Sequence, residues 1–134
     1  MLAFPQITAF CAGILGLISF VLAFHVGSYR GKTKISLSHG GNQEMLVRIR
    51  KHGNFTEYVP LALILLGLLE MSGGAGSVAI WILGGMLVIG RITHPMGLVA
   101  DNIGHPMRAV GALLTMLMTL VCSGWLIYHY VATM

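Results

Sequence analysis

Three long apolar tracts constrain this chain more than any other feature of its sequence. The segments 7–28 and 109–134 contain no Asp, Glu, Lys or Arg, and the segment 58–90 contains only Glu70. A hydrocarbon core of ~30 Å needs ~20 helical residues, so the first and last tracts each predict one membrane-spanning helix. The middle tract is too long for one crossing, and the small residues 72–77 interrupt it. We therefore predict two helices there and four in total.

The composition supports helices in lipid over any soluble fold. Hydrophobic residues make up 56% of the 134 residues and charged residues only 9%, too few to cover a soluble domain. An open sheet would leave backbone groups unpaired in lipid, and the alternating polarity of a barrel is absent. The N-terminus lacks the basic region of a signal peptide, so it predicts a retained first helix. We predict one all-α membrane domain over 1–134, a four-transmembrane-helix bundle with helices at about 5–29, 43–72, 76–96 and 106–131.

The distribution of basic residues predicts the orientation in the membrane. Six of the eight lie at positions 30–51, from the end of helix one to the start of helix two, and the other two bracket the loop between helices three and four. The turn between helices two and three and both termini carry no Lys or Arg. The positive-inside rule therefore puts both basic loops in the cytoplasm and both termini outside. The net charge of +4 reflects this topology and does not indicate a nucleic-acid partner.

The start of helix two carries a polar stripe formed by Arg50, Asn54 and Glu57. Their spacings of four and three place them on one helix face, with Tyr58 at its edge and His52 on roughly the opposite side. An Arg fork binds a carboxylate, Asn serves a peptide group and Glu accepts from an ammonium. The stripe therefore suits a ligand with carboxylates, an amine and peptide groups. The alternative is an internal Arg50–Glu57 cluster that joins helices.

Other polar residues at the same membrane level can join this stripe. Arg30 follows helix one, Arg91 and His94 share a face of helix three, and Arg108 begins helix four. Each arginine alone also fits an interfacial anchor whose side chain reaches the lipid headgroups. Together around a helix that carries Asn and Glu, they indicate an anion pocket.

Three acidic or thiol groups in the spans have simpler interpretations. Glu70 lies near the other end of helix two, and we expect its side chain to reach interfacial water. Cys11 and Cys122 read as small packing residues, since two thiols inside spans make no disulfide framework. No spacing of His, Cys and Glu resembles a metal site.

The pattern Arg50-x-His52-x-Asn54-x-x-Glu57-x-x-Pro60 closely resembles the signature of the MAPEG family, the membrane-associated proteins in eicosanoid and glutathione metabolism. Three further segments resemble the end of the family's first helix, the end of its third and the start of its fourth. These segments are 26–30, 91–97 and 106–109. The resemblance implies a homotrimer in which glutathione, as cosubstrate, lies at the cytoplasmic ends of the helices between neighbouring subunits.

The resemblance also implies roles for individual residues. One subunit would hold glutathione through a set on helices two and three: Arg50, Asn54, Glu57, Tyr58 and His94. Arg91 is a further candidate for binding glutathione. Arg30, His52 and Arg108 would approach from the next subunit. Arg108 would have the catalytic role, because a cation near sulfur lowers the thiol pKa and the thiolate is the nucleophile. The thiolate would attack a lipophilic electrophile arriving through the membrane.

Three functions remain open from the sequence. The first is a glutathione transferase or peroxidase acting on lipophilic electrophiles, in a bacterial inner membrane as the compact chain suggests. The second is a catalytically weak or inactive binder of glutathione or lipid, because His94 and Leu98 stand where lipid-conjugating relatives often carry Tyr residues. The third is a four-helix transporter of cationic drugs, which is expected to carry a carboxylate in helix one, and helix one has none.

Overall fold

A computed structural model describes residues 4–134, and within that range the chain forms four α-helices and no strand. They are α1 (Gln6–Thr33), α2 (Gln43–Ser72), α3 (Ser77–Gly97) and α4 (Pro106–Thr133). Each is long and apolar enough to cross a membrane. At ~1.5 Å per residue, even the 21-residue α3 reaches across a ~30 Å hydrocarbon core. The predicted all-helical fold with four spans is confirmed.

Local signals end and begin the helices. Gly73, with a φ of 67°, ends α2 inside the predicted small-residue turn. The Asn42 side chain caps α2 by accepting from Met45 N at 3.0 Å. α1 runs about one turn beyond its expected end near residue 29 and continues through Gly31, which does not adopt a positive φ. Lys34 has a φ of 59°, and this left-handed conformation ends α1.

The middle helices α2 and α3 form the centre of the bundle. Each of them packs against all the others, whereas α1 and α4 lie on opposite sides and make no mutual contact in the described part of the chain. The central core comes from all four helices: Leu15, Phe55, Val59, Ala62, Leu66, Leu69, Ile80, Leu83, Leu87, Met118 and Cys122. Cys11 is also buried, and both cysteines are free thiols, so their interpretation as packing residues holds. Many large apolar side chains on the outer faces are exposed, as expected for surfaces solvated by lipid.

Glu70 caps the first turn of α1 from a distance of more than sixty residues along the chain. Its carboxylate accepts from the backbone amides of Ile7 at 2.9 Å and Thr8 at 2.8 Å, and from Thr8 Oγ1 at 2.7 Å. Pro5, at the N-cap, supplies no side-chain hydrogen bond. The first amides of a helix have no partner in their own helix, and a negative charge there is favourable. The expectation that Glu70 reaches interfacial water was therefore wrong, because it ties α2 to α1.

Glycines let α3 and α4 approach until their backbones touch. A Cβ added to Gly111 would lie 2.5 Å from His94 N and 2.7 Å from Gly90 O, and one at Gly97 would overlap Arg108 N. Small residues allow such close packing between membrane helices. The approach brings the end of α3, with Arg91 and His94, directly against the start of α4.

We predict that Gly111→Ala destabilises the protein. The added methyl would clash with backbone atoms, which cannot move away by a side-chain rotation. The helices α3 and α4 must therefore separate, at a cost of about 1–3 kcal/mol. The matched control is Gly124→Ala on the same helix, where nothing lies within 4 Å of the new Cβ. That change should be neutral or slightly stabilising, since Ala favours helix over Gly. Thermal unfolding in detergent measures both, and equal midpoints would refute the close approach.

We also predict that Glu70→Ala lowers the unfolding midpoint by removing the cap of α1. Losing charged hydrogen bonds to two amides and a hydroxyl costs about 1–3 kcal/mol. Glu44→Ala is the control on the same helix, because Glu44 makes an exposed ion pair with Arg48 and should matter less. A midpoint for Glu70→Ala no lower than that of Glu44→Ala would contradict the capping role.

Candidate functional site

The polar stripe on α2 lies on one face, as its spacing predicts. Arg50 Nη1 is 3.5 Å from Glu57 Oε1, and both side chains are about half exposed, at 53% and 52%. The pair lies along a single helix, so the Arg50–Glu57 cluster does not join helices in this chain. Both groups therefore remain accessible to a ligand beside the stripe.

Arg91 forms the polar centre of the bundle and is only 2% exposed. Its Nη1 donates to Asn54 Oδ1 at 3.0 Å, and its Nη2 donates to Gly111 O at 3.3 Å. The guanidinium also lies 5.6 Å from the centroid of the Tyr58 ring. These contacts connect α3 to α2 and α4. The alternative of an interfacial anchor reaching the headgroups is therefore wrong for Arg91.

His94 and Arg108 meet the stripe in a polar pocket of about 210 Å³. His94 is one turn beyond Arg91 and 5% exposed. The pocket, called here the polar pocket, is lined by residues of α2, α3, α4 and the loop before α4. They are Gln43, Leu46, Val47, Arg50, Asn54, His94, Leu98, Val99, Ala100 and Arg108. Four predicted site residues on three helices thus share one pocket.

Arg30 and His52 lie outside this group. Arg30 Nη1 donates to three carbonyls of the loop that follows α1, those of Ile35, Ser36 and Ser38, at 3.1–3.2 Å. In the described chain Arg30 therefore holds the α1–α2 loop together. His52 is half-buried and lines none of the pockets described in this section. The single chain does not bring either residue to the polar stripe.

A small cavity of about 40 Å³, called here the arginine cavity, adjoins the polar pocket. Its lining shares Asn54 and His94 with that pocket. The complete lining is Asn54, Tyr58, Arg91, His94, Ala112, Thr115 and Met116. Thr115 is 1% exposed, and its Oγ1 donates to Gly111 O at 3.0 Å, the same carbonyl that Arg91 uses.

An apolar groove of about 540 Å³ lies on the other side of the arginine cavity, with which it shares Tyr58 and Met116. The remaining lining residues all come from α4: Leu113, Leu117, Thr119, Leu120 and Ser123. The groove is open and almost wholly apolar, so it suits an alkyl or aryl group dissolved in lipid. Polar pocket, arginine cavity and apolar groove therefore form a series that changes from polar to apolar.

Sequence reasoning missed Thr115 and the carbonyl of Gly111 as parts of this site. Both lie in an apolar tract of α4, where an isolated Thr and Gly read as ordinary span residues. The available signal was the set of glycines near the facing ends of α3 and α4, Gly90, Gly97 and Gly111. Glycines on two neighbouring spans indicate close helix contact.

Comparisons with known proteins agree with this arrangement. Residues 8–128 match the model of the MAPEG family, a range that includes every predicted site residue. The Inner membrane protein YecN of Escherichia coli, in strains K12 and CFT073, is 33% identical over 92 residues, or 69% of this chain and 70% of the relative. No solved structure matches. The resemblance drawn from the helix-two motif is thus confirmed, and the chain belongs to the MAPEG family.

Proposed function

We propose that this membrane protein binds glutathione in the polar pocket and joins its sulfur to a lipophilic electrophile held in the apolar groove. One observation carries the proposal: the two compartments meet at the arginine cavity through shared residues. A water-soluble thiol in the polar pocket and a lipid-soluble partner in the apolar groove can thus approach each other, and each stays in an environment of its own polarity. The same site fits reduction of a lipid hydroperoxide by glutathione.

The groups around the polar pocket match the charges of glutathione. The tripeptide carries two carboxylates, one ammonium, two peptide groups and a thiol. Arg50 supplies a cation for a carboxylate, and Glu57 supplies an acceptor for the ammonium. Asn54 already accepts from Arg91 through its Oδ1, which leaves its amide nitrogen to donate to a peptide carbonyl. The guanidinium of Arg91 therefore fixes the orientation of the Asn54 amide.

Arg108 is the proposed activator of the thiol. A guanidinium near sulfur favours the thiolate, because the thiol loses its proton to water while the cation offsets the new negative charge. The thiolate then forms a carbon–sulfur bond with the electrophile, and the leaving group departs with the bonding electrons. The lining of the polar pocket includes Arg108, as this role requires.

A neighbouring subunit would complete the pocket. About 210 Å³ is less than the ~300–1,000 Å³ of a typical small-molecule site. In the homotrimer implied by family resemblance, Arg30 and His52 of the next subunit form the missing wall. Arg108, which the resemblance also assigns to the next subunit, instead lines the polar pocket of its own subunit. Arg30 uses only Nη1 for the loop carbonyls, which leaves its other nitrogens for a ligand. The basic loops and the name of YecN support an inner-membrane location, with this pocket on the cytoplasmic side.

One observation favours a second candidate, a protein that binds glutathione or lipid with little catalysis. His94 and Leu98 line the polar pocket where lipid-conjugating relatives often carry Tyr residues, so the pocket lacks those hydroxyl donors. The two candidates share the binding step and differ in thiolate formation. Thiolate formation by bound glutathione therefore separates the two candidates.

We predict that purified protein binds glutathione saturably in calorimetric titration and that Arg50→Met weakens this binding roughly 10–100-fold. The loss corresponds to the ~1.5–3 kcal/mol of a hydrogen bond to a charged group. Arg48→Met is the matched control, because Arg48 lies on another face of α2, paired with Glu44 at 2.7 Å. Equal losses in both variants, or no saturable heat with the unchanged protein, would reject the polar pocket as the site.

We predict that Arg108→Met retains glutathione affinity within a few-fold but raises the pKa of the bound thiol by about 1–3. The ultraviolet thiolate absorbance of the complex then appears only at higher pH, and turnover with an aryl halide falls in parallel. Lys32→Met, a change of another basic residue outside the pocket, is the control. Unaltered absorbance and turnover in Arg108→Met would exclude Arg108 as activator. Absence of both in the unchanged protein would favour the weakly catalytic candidate.

A further inference from the structure

Arg91 is a buried cation whose contacts in residues 4–134 are all uncharged. Its guanidinium meets the Asn54 amide oxygen, the Gly111 carbonyl and the Tyr58 ring. Its Nε has no hydrogen-bond partner in that part of the chain, although the side chain is 98% buried. An unpaired buried charge costs several kcal/mol unless another charge offsets it. Arg91 therefore needs a negative partner.

No carboxylate within residues 4–134 forms a salt bridge or a hydrogen bond with Arg91. The chain contains four acidic residues, and three of them are engaged elsewhere. Glu44 pairs with Arg48, Glu57 lies beside Arg50, and Glu70 caps α1. The fourth, Asp101, is exposed in the loop between α3 and α4.

The arginine cavity has the size and the lining for a small anion. Its volume of about 40 Å³ exceeds the ~10–15 Å³ needed for one water-sized occupant, but it is far too small for a tripeptide. Besides Arg91, the lining includes the Asn54 amide, the Tyr58 phenol and the His94 ring as possible hydrogen-bond donors. An anion among these groups and apolar walls is attracted more strongly than in water, because the local dielectric constant is low.

We propose that the arginine cavity binds a halide-sized monovalent anion, with chloride as the physiological candidate, as the counter-ion of Arg91. A neutral water molecule would satisfy Nε but would leave the charge of the guanidinium without compensation. The anion stabilises the contact of α2, α3 and α4, since Arg91 links all three. This site requires no glutathione, so it stands or falls separately from the proposed function.

The first test compares thermal unfolding of the purified protein in sodium chloride and in sodium gluconate at equal ionic strength, without glutathione. A ligand that binds only the folded state raises the unfolding midpoint, by roughly 3–6 °C at a tenfold excess over its Kd. We expect a saturable rise with chloride and with bromide, and none with gluconate. Arg48→Met, which alters an arginine outside the cavity, should retain the rise, whereas Arg91→Met should lose it. Equal midpoints in the two salts would overturn the proposal.

The second test does not depend on the folding of any variant. Crystals of the unchanged protein grown in bromide should give an anomalous difference peak beside Arg91, between Asn54 and Thr115. A water molecule alone at that position, or a protein carboxylate in contact with the guanidinium, would overturn the anion site. Because neither test contains glutathione, a negative result leaves the calorimetric prediction for the polar pocket unaffected.

Discussion

The position of Arg91 depends on a single steric condition, the absence of side chains where α3 meets α4. Gly90 and Gly111 bring the two backbones into contact, and only then does the Gly111 carbonyl come within 3.3 Å of the guanidinium. The other amino group of the same fork reaches Asn54 on α2. The planar guanidinium of Arg91 thus fixes the mutual position of three helices. The shapes of the polar pocket and the apolar groove on either side of it depend on that position.

The sequence predicted what local chemistry determines. The four spans, the small-residue turn and the MAPEG motif follow from hydropathy, turn-forming residues and spacing along one helix. It could not predict contacts that depend on the packing of distant segments. Glu70 seemed isolated because its partners, the first amides of α1, lie 62 and 63 residues away. Likewise, an arginine at a helix end seems interfacial until neighbouring glycines allow the next helix to cover it.

The buried and the accessible arginines have different roles in the site. Arg91 is covered and makes contacts that are present whatever occupies the pocket, so it acts as scaffold as well as attraction for negative charge. Arg50 is half exposed and Arg108 is only partly covered, so both can move to meet a ligand. The proposed glutathione site thus combines a rigid floor with adjustable walls. Fixed floors and few mobile groups reduce the ordering cost that a ligand must offset on binding.

The sharing of Tyr58 and Met116 between cavity and groove has a consequence for selectivity. In the proposed function, a substrate that enters the groove from the bilayer has already partitioned into lipid, so its oil–water partition coefficient selects it before any side chain contacts it. Partitioning into the bilayer also raises the local concentration of lipophilic compounds far above their concentration in water. Shape discrimination can then remain loose, and a groove lined by unbranched and branched aliphatic side chains suits a protein that meets many chemically unrelated lipophiles.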